Sequence, residues 1–122
     1  MARRDLTGAV NFSYLADYTA NDAALMDEVL GIFTQQSELW LRLLAPDSDA
    51  DGWRDAAHTL KGAALGIGAQ DLAKVCAEAE AARGASLGAR AALLDQIRFQ
   101  LDLALGDIAA WRHERALQSL KS

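Results

Sequence analysis

A single proline, Pro46, interrupts the 122 residues of this chain. On both sides of it, apolar residues recur at the three- and four-residue spacing of a helix face. Alternating patterns and β-branched runs, which would signal strands, are absent. Hydrophobic residues make up 52% of the chain, with Ala and Leu foremost, and that usage favours helix over sheet. The length fits one domain over residues 1–122, large enough to bury a core.

Residues 1–10 read as a loose lead-in. A short first helix is expected over Asn11 to Thr19, with Phe12, Leu15, Ala16 and either Tyr18 or Thr19 inward. Asn21 reads as the cap of a long helix reaching about Leu44, striped by Met26, Val29, Leu30, Phe33, Trp40, Leu43 and Leu44. The stop comes at Ala45-Pro46-Asp47, because proline disfavours helix in the residue before it. The next helix runs from about Gly52 to Gly66–Gly68, where paired glycines allow a C-terminal stop. Another spans about Gln70 to Arg83, with Leu72, Val75, Cys76 and Ala79 inward. Ser86 caps a last helix to about Leu117, whose inward positions are Leu87, Ala91, Leu94, Ile97, Leu101, Leu105, Ile108 and Trp111. Short connections make neighbouring helices antiparallel. The expected fold is therefore all-α, an up-down-up-down four-helix bundle with a short additional N-terminal helix.

The formal net charge of −5 argues against a nucleic-acid binder, which needs a basic patch. The basic start, Arg3-Arg4, is followed by Asp5 rather than an apolar run, so neither a signal peptide nor a membrane span is expected. One cysteine, Cys76, allows no internal disulfide and suits a reducing cytoplasm. The two histidines, His58 and His113, are far apart in sequence and lack zinc- or haem-ligand spacing. No phosphate-cradling loop or nucleophile elbow is present, and His113 reads as an ordinary surface residue.

What remains is the stretch Trp53 to Gly68. On a helix at about 100° per residue, Trp53, Ala56, Leu60, Ala63, Ala64 and Ile67 form an apolar face. Asp51, Arg54, Asp55, Lys61, Gly62 and Leu65 fall within roughly 60° of His58 on the opposite face. Lys61 places a cation one turn from the imidazole, which suits an arriving anion. Gly62 costs about 1 kcal/mol against Ala inside a helix. Its effect is to remove bulk beside His58, so that a macromolecule can approach the ring. Asp55 reads either as a solvated acid or as a group that orients the ring. An imidazole with an ordinary pKa near ~6.5 is substantially neutral at cytoplasmic pH. A general base would need a substrate pocket, which a convex helix face does not supply. A nucleophile that accepts a group from another protein needs exposure instead, and a phosphoryl group fits the cation.

His58-Thr59-Leu60-Lys61-Gly62, with Gly68 ten positions after the histidine, resembles the His-x-x-Lys-Gly motif of the histidine phosphotransfer (HPt) domain family of two-component phosphorelays, here of stand-alone type. The resemblance extends to Leu72, Cys76 and Glu80 and covers about Phe12 to Trp111. It implies that His58 is phosphorylated on Nε2, exchanging a phosphoryl group with an aspartate of response-regulator receiver domains. It implies that Lys61 stabilises phosphate charge and that Gly62 gives steric access. The partners implied are receivers and a hybrid histidine kinase. The receiver brings the divalent metal, and this chain has no cofactor or metal of its own and no kinase activity with ATP. It would be a cytoplasmic monomer, a transfer intermediate rather than a self-sufficient enzyme. Docking is expected to involve Arg54, Asp55, Leu65 and Gln36, with Phe33 and Ser37 as further candidates and Phe33 better placed for the core. One alternative is an adaptor that binds receiver or kinase domains without transferring phosphate. Another is a dimerising phosphotransferase with kinase-like architecture, for which the chain has no room.

The position seven after the histidine is often Gly, Ala or Ser in that family, and here it is Leu65. By helical geometry it lies about 20° from His58, two turns on. The hypothesis is that it adds apolar docking surface and biases partner choice. Leu65→Ala is then expected to change transfer rates unequally across a panel of receivers, and equal rates throughout would refute it.

Overall fold

The computed structural model describes residues 6–121, which form five helices and, among the described residues, no strand. They are α1 (Phe12–Tyr18), α2 (Ala23–Leu43), α3 (Ala50–Gly66), α4 (Gln70–Ala81) and α5 (Leu87–Lys121). α2 to α5 run up-down-up-down, and each packs on its neighbours to close a ring: α2 on α3, α3 on α4, α4 on α5 and α5 on α2. α1 lies across α2. At 35 residues, α5 is about 52 Å long, against about 31 Å for α2.

Local chemistry sets the helix ends. Asn11, Asp22, Asp49 and Ser86 each accept a backbone N–H from the first turn that follows them, satisfying donors that the helix cannot. The cap of α2 is Asp22 rather than Asn21. The turn out of α1 is so tight that Ala20 and Asn21 both take left-handed backbone, with φ of 54° and 61°. Asn21 donates its N–H to the Ala16 carbonyl at 2.7 Å. Asn tolerates that conformation, which leaves the next residue, in extended geometry, to cap.

The core is one cluster. Leu15, Leu30, Leu44, Trp53, Leu60, Leu72, Ile97, Leu101 and Ile108 are fully buried, each Leu or Ile contributing about 1.5–3 kcal/mol. Small residues fill the spaces between them: Ala57, Ala64, Ala69, Ala79 and Ala104 are also buried. Trp53 lies under the α4 end, where its Nε1–H donates to the Ala79 carbonyl at 2.7 Å.

Of Tyr18 and Thr19, Thr19 takes the inward place and Tyr18 faces solvent; the Thr19 hydroxyl donates to the Leu15 carbonyl at 2.8 Å. Other expected facings change. Leu43 is exposed and Leu44 buried, because the helix ends between them and the non-helical backbone of Leu44 redirects its side chain. Leu87 and Ala91 are exposed, and Arg90 is the inward residue of that turn at 7% exposure. Its guanidinium donates to the carbonyls of Pro46 (3.0 Å), Ser48 (2.7 Å) and Arg83 and lies 5.3 Å from the Trp53 ring centroid. Three loop carbonyls need donors at this end of the bundle, and a fork-shaped cation supplies them.

The lead-in is not loose over its described part, residues 6–10; residues 1–5 lie outside the described residues. Ala9 and Val10 are buried. Asp107, 4% exposed on α5, accepts the Thr7 N–H at 3.0 Å, the Thr7 hydroxyl at 2.8 Å and the Ala9 N–H at 3.2 Å. A buried carboxylate that accepts from three donors holds the segment to the bundle. Phe12 then stacks on Trp111 with ring centroids 6.1 Å apart.

Between α3 and α4 only Ile67, Gly68 and Ala69 intervene. Gly68 has φ of 73°, and its carbonyl accepts the Asn11 N–H at 3.0 Å. A Cβ there would sit 2.9 Å from the Asn11 Cβ and 3.1 Å from the Asn11 carbonyl oxygen. Gly68→Ala is accordingly expected to cost about 1–3 kcal/mol in denaturant unfolding. Gly66→Ala, whose Cβ would meet nothing within 4 Å, should cost nothing or stabilise slightly.

Candidate functional site

The apolar face of α3 faces the core, so His58 is left on the outside. Trp53, Ala56, Ala57, Leu60 and Ala64 are buried beneath, and the His58 side chain is 66% exposed. The α3–α4 reversal brings α4 back alongside, and its last turn returns Glu80 to the height of the imidazole. Glu80 Oε2 lies 2.9 Å from His58 Nδ1, and Glu80 Oε1 accepts from Lys61 Nζ at 2.7 Å. One carboxylate, three-quarters buried, thus bridges both of the motif's charged or titratable side chains.

The charge state follows from these partners. The hydrogen bond from Lys61 holds the Glu80 carboxyl below the usual carboxylate range. Partial burial opposes this, and the bond from His58, the charge of Lys61 and that of a protonated His58 ring assist it. Glu80 is therefore ionised at neutral pH and can only accept hydrogen bonds. Nδ1 of a neutral His58 ring must then carry the proton, which leaves the Nε2 lone pair free. Nε2 has no hydrogen-bond partner among the described residues. The arrangement presents a nucleophilic nitrogen of fixed tautomer to solvent.

Lys61 is not a bare cation beside the imidazole, as its spacing alone suggests, because Glu80 stands between the two roles. An ammonium has three donors, so one bond to Glu80 leaves two for an incoming anion. Gly62, one turn beyond His58, is exposed. A Cβ there would meet nothing within 4 Å, so no contact within the fold demands a glycine.

Of the two readings open for Asp55, the solvated one holds. Asp55 pairs with the adjacent Arg54 at 2.8 Å and makes no bond to His58; Glu80 takes the orienting position. Sequence reasoning noted Glu80 only as an acid near the end of α4. Its value as a partner depends on a contact 22 residues away; the advance signals were the family resemblance, which includes Glu80, and its place on the turn that an antiparallel α4 brings back to His58. Leu65 is 51% exposed on the same outer face. On α2, Gln36 is exposed, whereas Phe33 and Ser37 are buried and unavailable for docking. Gln36 and His58 each lie about two turns from the connection that joins their helices, so antiparallel packing sets them at a similar height. His113 is exposed near the far end of α5.

Cys76 lies one turn before Glu80, fully buried. Burial pushes its thiol up to about 12 against the pull of Lys61, so it packs as a neutral group. Two surface hollows occur elsewhere. One of about 180 Å³ is lined by Leu6, Trp111 and Arg115 among others, and a shallower one lies around Val10, Asn11 and Gly68. Neither includes His58. Among the described residues no three His, Cys, Asp or Glu side chains gather as metal ligands, and no helix is long and apolar enough to cross a membrane.

A family model described as the Hpt domain matches residues 22–111, from the cap of α2 to Trp111. Among solved structures, the crystal structure of histidine phosphotransferase ShpA from Caulobacter crescentus is similar, with a TM-score of 0.76 and 48% sequence identity. The match covers 93% of this chain and 99% of that one. No curated protein matches.

Proposed function

The chain belongs to the Hpt domain family, and from that premise we propose that His58 Nε2 carries a phosphoryl group between the aspartates of response-regulator receiver domains. The observation that carries this reading is the His58–Glu80–Lys61 arrangement. A proton held on Nδ1 by a carboxylate leaves Nε2 as the attacking atom, on a convex surface that only a partner's site can enclose.

In the forward step the Nε2 lone pair forms the N–P bond as the acyl phosphate P–O bond breaks, and the receiver's carboxylate leaves with that bonding pair. Lys61, held 2.7 Å from Glu80, offers its remaining donors to the phosphoryl oxygens. Gly62 lets the receiver's active-site rim approach the ring. Arg54, Asp55, Leu65 and Gln36 form the surrounding contact surface, all at least partly exposed. The divalent metal needed to neutralise an aspartyl phosphate belongs to the receiver on this reading. A kinase joined to a receiver is the natural upstream donor.

With a phosphorylated receiver as donor, acid-labile, base-stable phosphate is expected on the wild type and none on His58→Gln. Stable binding to the receiver with no label on the wild type would favour an adaptor instead. Gly62→Ala should separate fold from function. It is expected to raise unfolding stability by about 1 kcal/mol while slowing transfer by about tenfold to a hundredfold. Unchanged transfer in that variant would remove the access role.

A further inference from the structure

We propose that the Glu80 carboxylate keeps the proton on Nδ1 of the phosphorylated His58 ring and thereby keeps the phosphoryl group transferable; this rests on the carrier reading above. When a neutral Nδ1–H imidazole attacks phosphorus through Nε2, no proton is lost. The ring has given its lone pair to the new bond and becomes an imidazolium. Its positive charge sits against Glu80 Oε2, 2.9 Å from Nδ1 in the unmodified ring. At that distance an ionised carboxylate is both hydrogen-bond acceptor and counterion.

The consequence appears in the return step. An incoming aspartate carboxylate attacks phosphorus, the N–P bonding pair goes back to Nε2, and the ring departs. If Nδ1 still bears its proton, the leaving group is a neutral imidazole. If that proton has gone to solvent, the ring must depart as imidazolate, a far stronger base and a poorer leaving group. Glu80 therefore acts as a positioning residue that also sets the pH range over which the stored phosphoryl group can be donated.

The surroundings leave this role to Glu80. On α3 the neighbouring charges are Asp55, paired with Arg54 at 2.8 Å, and Lys61, whose ammonium bonds the other Glu80 oxygen. Just past α4, Arg83 is paired with Asp51 at 3.1 Å, and on α4 Cys76 is a neutral thiol. On α2, Asp27 bonds Arg112 of α5. Glu28, Glu38 and Arg42 bond to none of His58, Lys61 and Glu80. Among the described residues, no other carboxylate reaches the ring. Lys61 works against Glu80 in this respect, since its charge disfavours a second cation nearby.

The two neighbours should therefore shift the ring proton in opposite directions. The wild type, Glu80→Gln and Lys61→Met are to be phosphorylated on histidine with phosphoramidate, and the phosphorus NMR signal followed against pH without any receiver. Glu80→Gln keeps an acceptor for Nδ1–H but loses the charge, and its titration midpoint is expected about one pH unit below the wild type. Lys61→Met is expected above it. Rates of donation to a receiver should fall above the same midpoints. A Glu80→Gln midpoint equal to or above the wild type overturns the proposal, as does a Lys61→Met midpoint that moves down. General loosening of the site cannot produce opposite signs. The titration needs no receiver, so a chemically phosphorylated protein that donates to no receiver counts against the carrier reading and leaves the Glu80 result standing on its own.

Discussion

The close antiparallel pairing of α3 and α4 is the constraint on which the rest depends. Three residues reverse the chain between the helices, and they can do so because Gly68 adopts a left-handed backbone against Asn11. Such a short reversal fixes the height of every α4 side chain against α3. Glu80, in the last turn of α4, therefore has only one neighbourhood available, and it contains His58 and Lys61. The hydrogen bond from Asn11 to Gly68 ties the segment before α1 to the same turn. A longer, slacker link would leave the two helices packed but their register undefined.

Side-chain volume makes that pairing close. Ala56, Ala57 and Ala64 on α3 meet a helix whose inner face carries Ala73, Cys76 and Ala79. Small residues let backbones approach, and Trp53 fills the open end, fixed by its bond to the Ala79 carbonyl. Rigid packing beneath His58 matters, because a hydrogen bond of 2.9 Å orients a ring only if both helices hold still. The motif itself contributes nothing to this packing through His58 or Gly62, which both face outward. His58 and Gly62 lie on one face of α3 and the packing on the other.

Two buried ions close the ends of the bundle in a similar manner. Arg90 gathers carbonyls from the α2–α3 connection and the turn after α4, and Asp107 gathers the donors of residues 7 and 9. Each meets backbone groups of another segment, and each spans segments far apart in sequence. Both lie away from His58. They hold the frame that α3 and α4 need without touching His58 or Glu80.

The amino-acid order alone determined the helical class, the approximate extent of all five helices, and the sharing of one outer face by His58, Lys61, Gly62 and Leu65. These features depend on residues three, four or seven apart, and helical geometry fixes such relations before any packing occurs. Most boundaries shifted by a residue or two where a turn chose between equivalent groups, as when Asp22 rather than Asn21 capped α2, and α5 runs four residues past Leu117 to Lys121. Tertiary structure alone decided that Glu80 rather than Asp55 orients His58, that Arg90 and Asp107 turn inward, and that Phe33 and Ser37 are closed to a partner. Each of these depends on contacts between helices, and the spacing of residues within one helix carries no record of what the neighbouring helix brings to meet it.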